Sequence, residues 1–396
     1  AGRIKLNISK TQISHLDCFS GIGGIATGFK AAGIHTVAGI EKVDSCITTY
    51  ADNHPETHLF KGDIGNVTAK QLTSAVPNID IVTAGMPCET FSTAGSKSRS
   101  FYDQRQTLFR EAIRLAVATD ARLLLFENVP AFTNKTVEKN GQGLVKDLLF
   151  SELSEAGFKN QFFGYLNAKE FGVPQDRNRF FALATKDDTI PLSLPEPACA
   201  VNAATTVNQA LESLPRVTAN GKKSIYSYSK KNSDYSLLMK DNSFWKLDRQ
   251  VSAVTYHRPP RHRQGTLERF KLIRQGESLK DLFARLGETE VLELQKRKVL
   301  PKKWYIQRNR RLIGDSQSRT VTSHCLDEFI HPDLNRALTV REVARLQSFP
   351  DSYEISGGPY SCPHIYETQD KYEQLGDAVP PLLAFHIGRH LTKILS

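Results

Sequence analysis

The sequence predicts an α/β body built on a mainly parallel sheet, carrying a second, smaller and strongly basic module. Three observations predict it. Over residues 1–185, short β-like runs alternate with amphipathic stretches, the pattern that lays helices over a parallel sheet. From about residue 187 the chain turns proline-rich (TIPLSLPEPACA) and reads as an extended linker. Residues 201–330 then hold 25 Lys/Arg against 13 Asp/Glu, or +12, whereas the other 266 residues hold 27 against 29, or −2.

The expected strands are 13–19 (ISHLDCF), 36–41 (TVAGIE), 79–84 (IDIVTA), 122–127 (RLLLFE), 162–167 (FFGYLN) and 179–185 (RFFALAT). Between the first two, Ile22, Ile25, Phe29 and Ala32 recur on one helical face, and Gly33 supplies a C-terminal cap. Leu108, Ala112, Leu115 and Ala116 form a similar stripe before the fourth strand. Residues 200–330 are rich in Ser, Asn, Lys and Arg with weak periodicity, and little secondary structure is expected there. Helical periodicity returns at 338–348 and 380–395. The expected division is therefore 1–188 as a body, 189–335 as the basic module, and 336–396 as a segment returning to the body.

A chain of 396 residues exceeds one average domain, and its 40% hydrophobic and 24% charged composition is ordinary for a soluble protein with a sizeable core. No apolar run approaches the roughly 18 residues of a membrane span, and the first residues lack a secretory signal pattern. Six cysteines (Cys18, Cys46, Cys88, Cys199, Cys325, Cys362) are scattered without a C-x-x-C pair. That argues against a disulfide scaffold or a metal site and for a reducing cytoplasm. A near-neutral body with one basic module points to a polyanionic partner, because paired phosphates release counterions to such a surface. Pro, Gly and Asn interrupt the basic residues, which disfavours a membrane-binding helix.

The residues suited to chemistry gather at strand ends. Phe19-Ser20-Gly21-Ile22-Gly23-Gly24 lies where a strand turns into a helix, and glycine there lets a ligand approach the backbone amides. Glu41 ends the second strand about twenty residues on, where a carboxylate can accept both hydroxyls of a ribose. Asp63 in Gly62-Asp63-Ile64 can accept from an adenine amino group. Cys88 follows Gly85-Met86-Pro87 at the end of IDIVTA, placed as a nucleophile, and 89–106 is long enough for a lid. Glu127 ends LLLF, where desolvation favours a carboxyl that can donate a proton. Arg177 and Arg179 alternate in an extended segment and are expected to face the same side. Taken singly, each has a plain structural reading: a tight turn, a solvated strand end, a buried inert cysteine, a surface arginine. Five of them falling at the carboxyl ends of strands is the signal, because an open sheet builds its site along that edge.

These motifs in series resemble the DNA (cytosine-5) methyltransferases of bacterial and phage modification systems. F-S-G-I-G-G, G-M-P-C-E-T-F-S, E-N-V and Q-D-R-N-R are followed by a long insert and then by R-A-L-T-V-R-E-V-A-R-L-Q-S-F-P-D-S-Y (336–353) and Q-L-G-D-A-V-P (374–380). The resemblance implies a Rossmann-like, S-adenosylmethionine-dependent methyltransferase sheet with a smaller, basic target-recognition domain. It implies that Cys88 adds to C6 of cytosine, that Glu127 binds N3, and that Arg179 holds O2 with Arg177 in support. Phe19 would pack on adenine, Glu41 hold the ribose, Asp63 hold the amino group, and the Gly21–Gly23 backbone lie near the methionine portion. Ser20, Ile64, Pro87 and Asp377 complete the implied cofactor set, and S-adenosylhomocysteine would be the product. The target base would be flipped out of double-stranded DNA. Ser92 would contact DNA, together with Arg258, Arg261, Arg308 and Arg310 from the basic clusters RPPRHR and KKWYIQRNRR.

Three positions depart from the family's usual pattern: Lys42 stands where an aromatic residue often follows Glu41, Glu89 replaces Gln, and Asp377 replaces Asn. The implied partners are duplex DNA and a cognate restriction endonuclease, with the enzyme a monomer in a bacterial cytoplasm, associated with the nucleoid. Methylation of transfer RNA is the alternative of the same chemistry. A nicotinamide dehydrogenase would leave Cys88, Glu127 and the basic module unexplained. A non-catalytic DNA-binding protein would leave the intact Cys88 and Glu127 without purpose.

Overall fold

The computed structural model describes residues 12–76, 78–87, 107–136, 143–199, 203–304, 307–362 and 368–396. Cys88 and the whole of the expected lid, 89–106 with Glu89 and Ser92, lie outside the described residues. The chain forms two compact units, one of Ala1–Asn167, Asn178–Ala198 and Pro381–Ser396, the other of Ala168–Arg177 and Cys199–Pro380. This division differs from the expected segments. Residues 336–380 belong to the second unit, and within 336–396 only the final helix belongs to the first.

The first unit holds a seven-stranded sheet. Its strands are β1 (Ser14–Cys18), β2 (His35–Glu41), β3 (His58–Lys61), β4 (Ile81–Gly85), β5 (Leu123–Asn128) and β6 (Asn160–Asn167). The two-residue β7 (Gln175–Asp176) pairs within the second unit, and β8 (Asn178–Thr185) completes the sheet. The spatial order is β3-β2-β1-β4-β5-β8-β6. β3, β2, β1, β4 and β5 run parallel, and β8 is antiparallel to both β5 and β6. The expected α/β fold with a mainly parallel sheet is thus the observed one. All six expected strands are present, and β3 (HLFK) is an addition; its four residues, flanked by His and Lys, carry too little apolar pattern to be read as a strand.

β1, β4 and β5 are buried almost throughout, as strands covered on both faces must be. The helix Gly24–Ala32 follows β1 and ends at Gly33, whose φ of 92° lets its N–H reach back to the carbonyls of Lys30 and Phe29. The C-terminal helix Pro381–Leu395 packs on this helix, and two glycines permit the approach. A Cβ on Gly28 would lie 2.3 Å from the Pro381 carbonyl oxygen, and one on Gly388 would lie 2.9 Å from Ala32 Cβ.

The second unit corrects the expectation of little secondary structure. It contains helices Val207–Leu211, Asp234–Lys240, Gln264–Leu272, Leu279–Arg285 and Glu288–Lys296. Their stabilisation is local: Thr206, Ser233 and Ser278 each close a capping box with the residue three positions on. A small core of Phe270, Ile273, Leu279, Leu282, Val299 and Leu300 then joins the last three. Buried ion pairs hold the rest, with Arg336 on Glu342 at 2.7 Å and Arg345 on Asp351 at 2.6 Å.

Candidate active site

The five parallel strands deliver their carboxyl ends to one edge of the sheet. The strand order reverses between β1 and β4, which run side by side from His15↔Ile81 to Cys18↔Ala84. An open sheet offers its ligand crevice at such a reversal. The turn after β1 has left-handed backbone at Phe19 (φ 57°), Gly21 (52°) and Gly23 (84°). A Cβ at Gly21 would meet nothing within 4 Å, so the main chain there faces open space. Ser20 is buried and donates from its N–H to the Ile40 carbonyl at 3.0 Å, tying the turn to β2.

Glu41 lies directly beside this turn. Its carboxylate accepts from the N–H groups of Gly21, Lys42 and Val43, each at 2.8 Å. Burial pushes this carboxyl above its ordinary value, and the three donors oppose that shift. Lys42 itself is exposed. The Gly62 N–H donates to the Glu41 carbonyl at 2.8 Å, which brings the end of β3 alongside. There Asp63 is exposed and accepts from the Gly65 N–H at 2.9 Å, while Ile64 is buried. Phe19, Ser20, Gly21, Gly23, Glu41, Asp63 and Ile64 therefore share one end of the sheet.

Asp17, in the run ISHLDCF, is a residue that the sequence expectations leave without a role. It is fully buried at the end of β1 and accepts from Thr83 Oγ1 at 2.9 Å through Oδ1. Its second oxygen, Oδ2, is buried without a hydrogen-bond partner among the described residues. Burial pushes this carboxyl up to about 8. Behind it, His15 bridges Thr36 Oγ1 (2.9 Å) and Thr83 Oγ1 (2.7 Å), and burial holds its imidazole down to about 3. A polar chain from β2 through β1 to β4 thus runs beneath the glycine turn. An orphaned carboxyl oxygen beside a turn whose Gly21 faces open space fits a ligand that carries positive charge, and S-adenosylmethionine carries both a sulfonium and an ammonium.

On the other side of the reversal, β4 ends at Gly85 and leads through Met86 and half-buried Pro87 to position 88. Gly85 pairs with Glu127 across β4 and β5, and a Cβ there would sit 3.6 Å from Glu127 Oε2. Arg179 Nε lies 3.1 Å from Glu127 Oε1, and its Nη1 donates to the Asn178 carbonyl at 2.9 Å. Desolvation alone does not describe Glu127, because a guanidinium stands beside it. The expectation that Arg177 and Arg179 face one side gives way. Arg177 belongs to the second unit, where its guanidinium donates to the carbonyls of Val321 (2.7 Å), Gly376 (3.2 Å) and Ala378 (3.1 Å).

Asp377 also belongs to the second unit and is exposed, accepting from Gln369 Nε2 at 2.9 Å. Of the four named arginines of the basic module, Arg258 and Arg261 are exposed. Arg308 pairs with Asp327 at 3.2 Å, and Arg310 donates to the Gly276 carbonyl. Cys362, Asp370 and Glu373 gather closely enough to hold a metal ion, yet Asp370 and Glu373 already cap the helix Lys371–Asp377. Among the described residues, no helix is long and apolar enough to cross a membrane.

Comparison with known proteins agrees with this geometry. The family model for C-5 cytosine-specific DNA methylase matches residues 13–393. The type II methyltransferase M.DdeI of Desulfomicrobium norvegicum is 31% identical over 374 residues, covering 93% of this chain and 86% of that protein. M1.HphI of Haemophilus parahaemolyticus, also named a type II methyltransferase, is 28% identical over 97% of this chain and 87% of its own length. Among solved structures, an E. coli prophage-encoded chain assigned as a DNA modification methyltransferase superposes with a TM-score of 0.72 at 22% identity, covering 97% and 99% of the two chains. The S. pombe Dnmt2 methyltransferase reaches a TM-score of 0.50 at 17% identity, covering 97% and 98%, a likeness of fold alone. A match spanning nearly the whole chain, on a sheet whose carboxyl edge carries the motif residues, places this chain in the C-5 cytosine-specific DNA methylase family, whose members methylate carbon 5 of cytosine in DNA.

Proposed function

We propose that this chain methylates C5 of a cytosine flipped out of a specific duplex sequence, through a covalent bond between Cys88 and C6 of the base. The observation that carries the reading is the Glu127–Arg179 pair at the end of β5, beside the strand that leads into Met86-Pro87-Cys88. Cytosine C5 is too weak a nucleophile to take a methyl group unaided. Addition of the Cys88 thiolate to C6 turns the ring into an enamine and places electron density on C5. Glu127 bonds N3 as that charge develops. Arg179 keeps Nε on Glu127 and Nη1 on the Asn178 carbonyl, leaving Nη2 to meet the cytosine O2. Bound S-adenosylmethionine would supply the electrophilic methyl group that C5 takes as the sulfur–methyl bond breaks, with S-adenosylhomocysteine as the product. Loss of the C5 proton then expels Cys88 and restores the thiolate.

The cofactor would be held by Glu41 on the ribose, Asp63 on the adenine amino group, Phe19, Ile64 and Pro87 against the ring, and the Ser20–Gly23 turn with Asp17 near the methionine portion. Asp377 is assigned to this set by its motif alone. Arg177, held by three carbonyls, acts as a support of the second unit. The family match favours DNA over transfer RNA as the polymer. The type II relatives support an enzyme of a bacterial modification system. We read it as a monomer that acts in the cytoplasm beside a restriction endonuclease of the same specificity.

Duplex DNA with 5-fluorocytosine at the target tests the covalent step, because fluorine cannot leave as the proton does. The wild-type enzyme should be trapped on it in the presence of cofactor. Cys88→Ser should bind DNA without trapping or methyl transfer, and normal turnover by that variant would overturn the assignment.

A further inference from the structure

Many basic side chains of the second unit are already engaged within it. Arg311 donates to the carbonyls of Ile273 (2.7 Å) and His331 (2.9 Å), Arg285 pairs with Glu277 at 3.0 Å, and Arg308 pairs with Asp327 at 3.2 Å. Arg310 bonds the Gly276 carbonyl and lies 3.6 Å from Asp281. Arg258 is placed otherwise. It is exposed, its side chain makes no hydrogen bond or ion pair with another described residue, and its guanidinium carbon lies 4.1 Å from the centre of the Tyr360 ring. A guanidinium over an aromatic face is held in position while its N–H groups remain available.

Both partners in this stack are braced. On one side, Tyr256 adopts a left-handed backbone (φ 56°), which a bulky residue keeps only when its surroundings enforce it. They do so here: the Tyr256 carbonyl accepts from the Arg341 N–H at 3.1 Å, and its hydroxyl bonds the Glu354 carboxylate. The next residue, His257, is fully buried between Thr339 Oγ1 (2.9 Å) and the Pro215 carbonyl (2.8 Å). Pro259 and Pro260 stiffen the chain beyond Arg258. On the other side, Lys371 Nζ donates to the carbonyls of Ser356 (3.1 Å), Gly357 (3.1 Å) and Gly358 (3.0 Å), fixing the segment that leads to Tyr360.

A phosphate contact needs no such preparation, since any mobile arginine on the surface can make one. Arg261 and Arg263, exposed and with no aromatic ring beneath them among the described residues, suit that task. A rigidly held, planar donor fork suits a fixed planar acceptor pair, and guanine presents one as O6 and N7 in the major groove. Resting on the DNA-methylating reading, we infer that Arg258, oriented by Tyr360, reads a guanine, so the recognition sequence includes a G·C pair flanking the target cytosine. Tyr360 is the positioning residue of the pair.

The test is bisulfite sequencing of a randomised duplex library after treatment with purified enzyme and cofactor, at several salt concentrations. The wild-type profile should require one flanking G·C pair. Arg258→Ala and Arg258→Lys should accept other pairs at that position, with discrimination reduced about ten- to a hundredfold. Their salt dependence should stay unchanged, as expected of a base contact. Tyr360→Phe should keep the wild-type profile, and Tyr360→Ala should relax it at the same position as Arg258→Ala. Should a variant turn over too slowly to read, sequencing the DNA it binds from the same library gives the same profile. An unchanged profile in Arg258→Ala overturns the inference, whether or not the salt slope falls by one counterion. Failure of the wild type to methylate cytosine would instead remove the parent reading, so the two failures are distinguishable.

Discussion

Arg179 Nε stands 3.1 Å from Glu127 Oε1, and both side chains retain only 11% of their exposure. One comes from the antiparallel strand β8 and the other from the parallel strand β5, paired as neighbours through Glu127↔Phe181. The antiparallel strand therefore brings a guanidinium to an acid that the parallel strands place at the edge.

If the two residues clamp one pyrimidine, each should matter mainly in the transition state. Glu127→Gln and Arg179→Ala should each lower the single-turnover rate of methyl transfer by roughly 10²–10⁴-fold. The double variant should lose little beyond the worse single variant, as groups acting together do. Losses that multiply would show that the two residues act separately.

Glu41 gives a second prediction, read from binding. Its carboxylate accepts from three backbone N–H groups and would also accept from the ribose hydroxyls. Glu41→Ala should weaken S-adenosylmethionine binding by about 1–3 kcal/mol, the cost of leaving polar partners unpaired. Isothermal titration showing unchanged affinity would reject that role, and circular dichroism would show that the turn still folds.

Asp17 gives a third, through pH. Burial raises its carboxyl from the ordinary 3.8 to about 8, so between these values the folded chain keeps a proton that the unfolded chain has lost. Unfolding then releases a proton, and stability falls as pH rises through this window. The contribution is complete below about pH 4 and gone above about pH 8. Asp17→Asn mimics the neutral acid and keeps an oxygen for Thr83. In the absence of cofactor, its Tm relative to wild type should therefore rise from pH 5 to pH 8 and level off above. An equal difference at both pH values would place the Asp17 proton elsewhere.

The sheet and its edge were legible because their signals are periodic and local. Each of the six expected strands is an apolar run bounded by turn residues, and Glu41 and Glu127 are strand-final carboxylates that need no tertiary knowledge to locate. The misses are of two kinds. The helices of the second unit announce themselves by caps rather than by apolar faces: Thr206-Val-Asn-Gln209 and Ser278-Leu-Lys-Asp281 were readable as capping boxes, while Ser and Lys diluted the periodicity. The chain from Thr36 through His15 and Thr83 to Asp17 was not readable at all. It joins residues from three strands, and a buried histidine inside an apolar run carries no local mark of its partners. The separate fates of Arg177 and Arg179 likewise depend on where the chain passes from one unit to the other, which a two-residue alternation does not encode.

The C-terminal helix allows a prediction in which two opposed effects can be weighed. Gly28 lies inside the helix Gly24–Ala32, where alanine is intrinsically favoured over glycine by about 1 kcal/mol. Propensity alone would make Gly28→Ala stabilising. The structure reverses the sign, because the added Cβ would lie 2.3 Å from the Pro381 carbonyl oxygen and 2.6 Å from the Phe385 nitrogen. Both are backbone atoms, so neither can swing aside, and the two helices would have to separate. Overpacking of this kind costs about 1–3 kcal/mol, which exceeds the propensity gain at all but its lower end. At Gly388 the nearest atom, Ala32 Cβ, is as fixed as its backbone, but at 2.9 Å it leaves less overlap to relieve, and the next, Phe29 Cδ1 at 3.1 Å, belongs to a side chain. Urea unfolding should therefore rank the variants with wild type most stable, Gly388→Ala next and Gly28→Ala last. A Gly28→Ala midpoint equal to or above wild type would mean that Pro381–Leu395 does not pack against Gly24–Ala32 as closely as described.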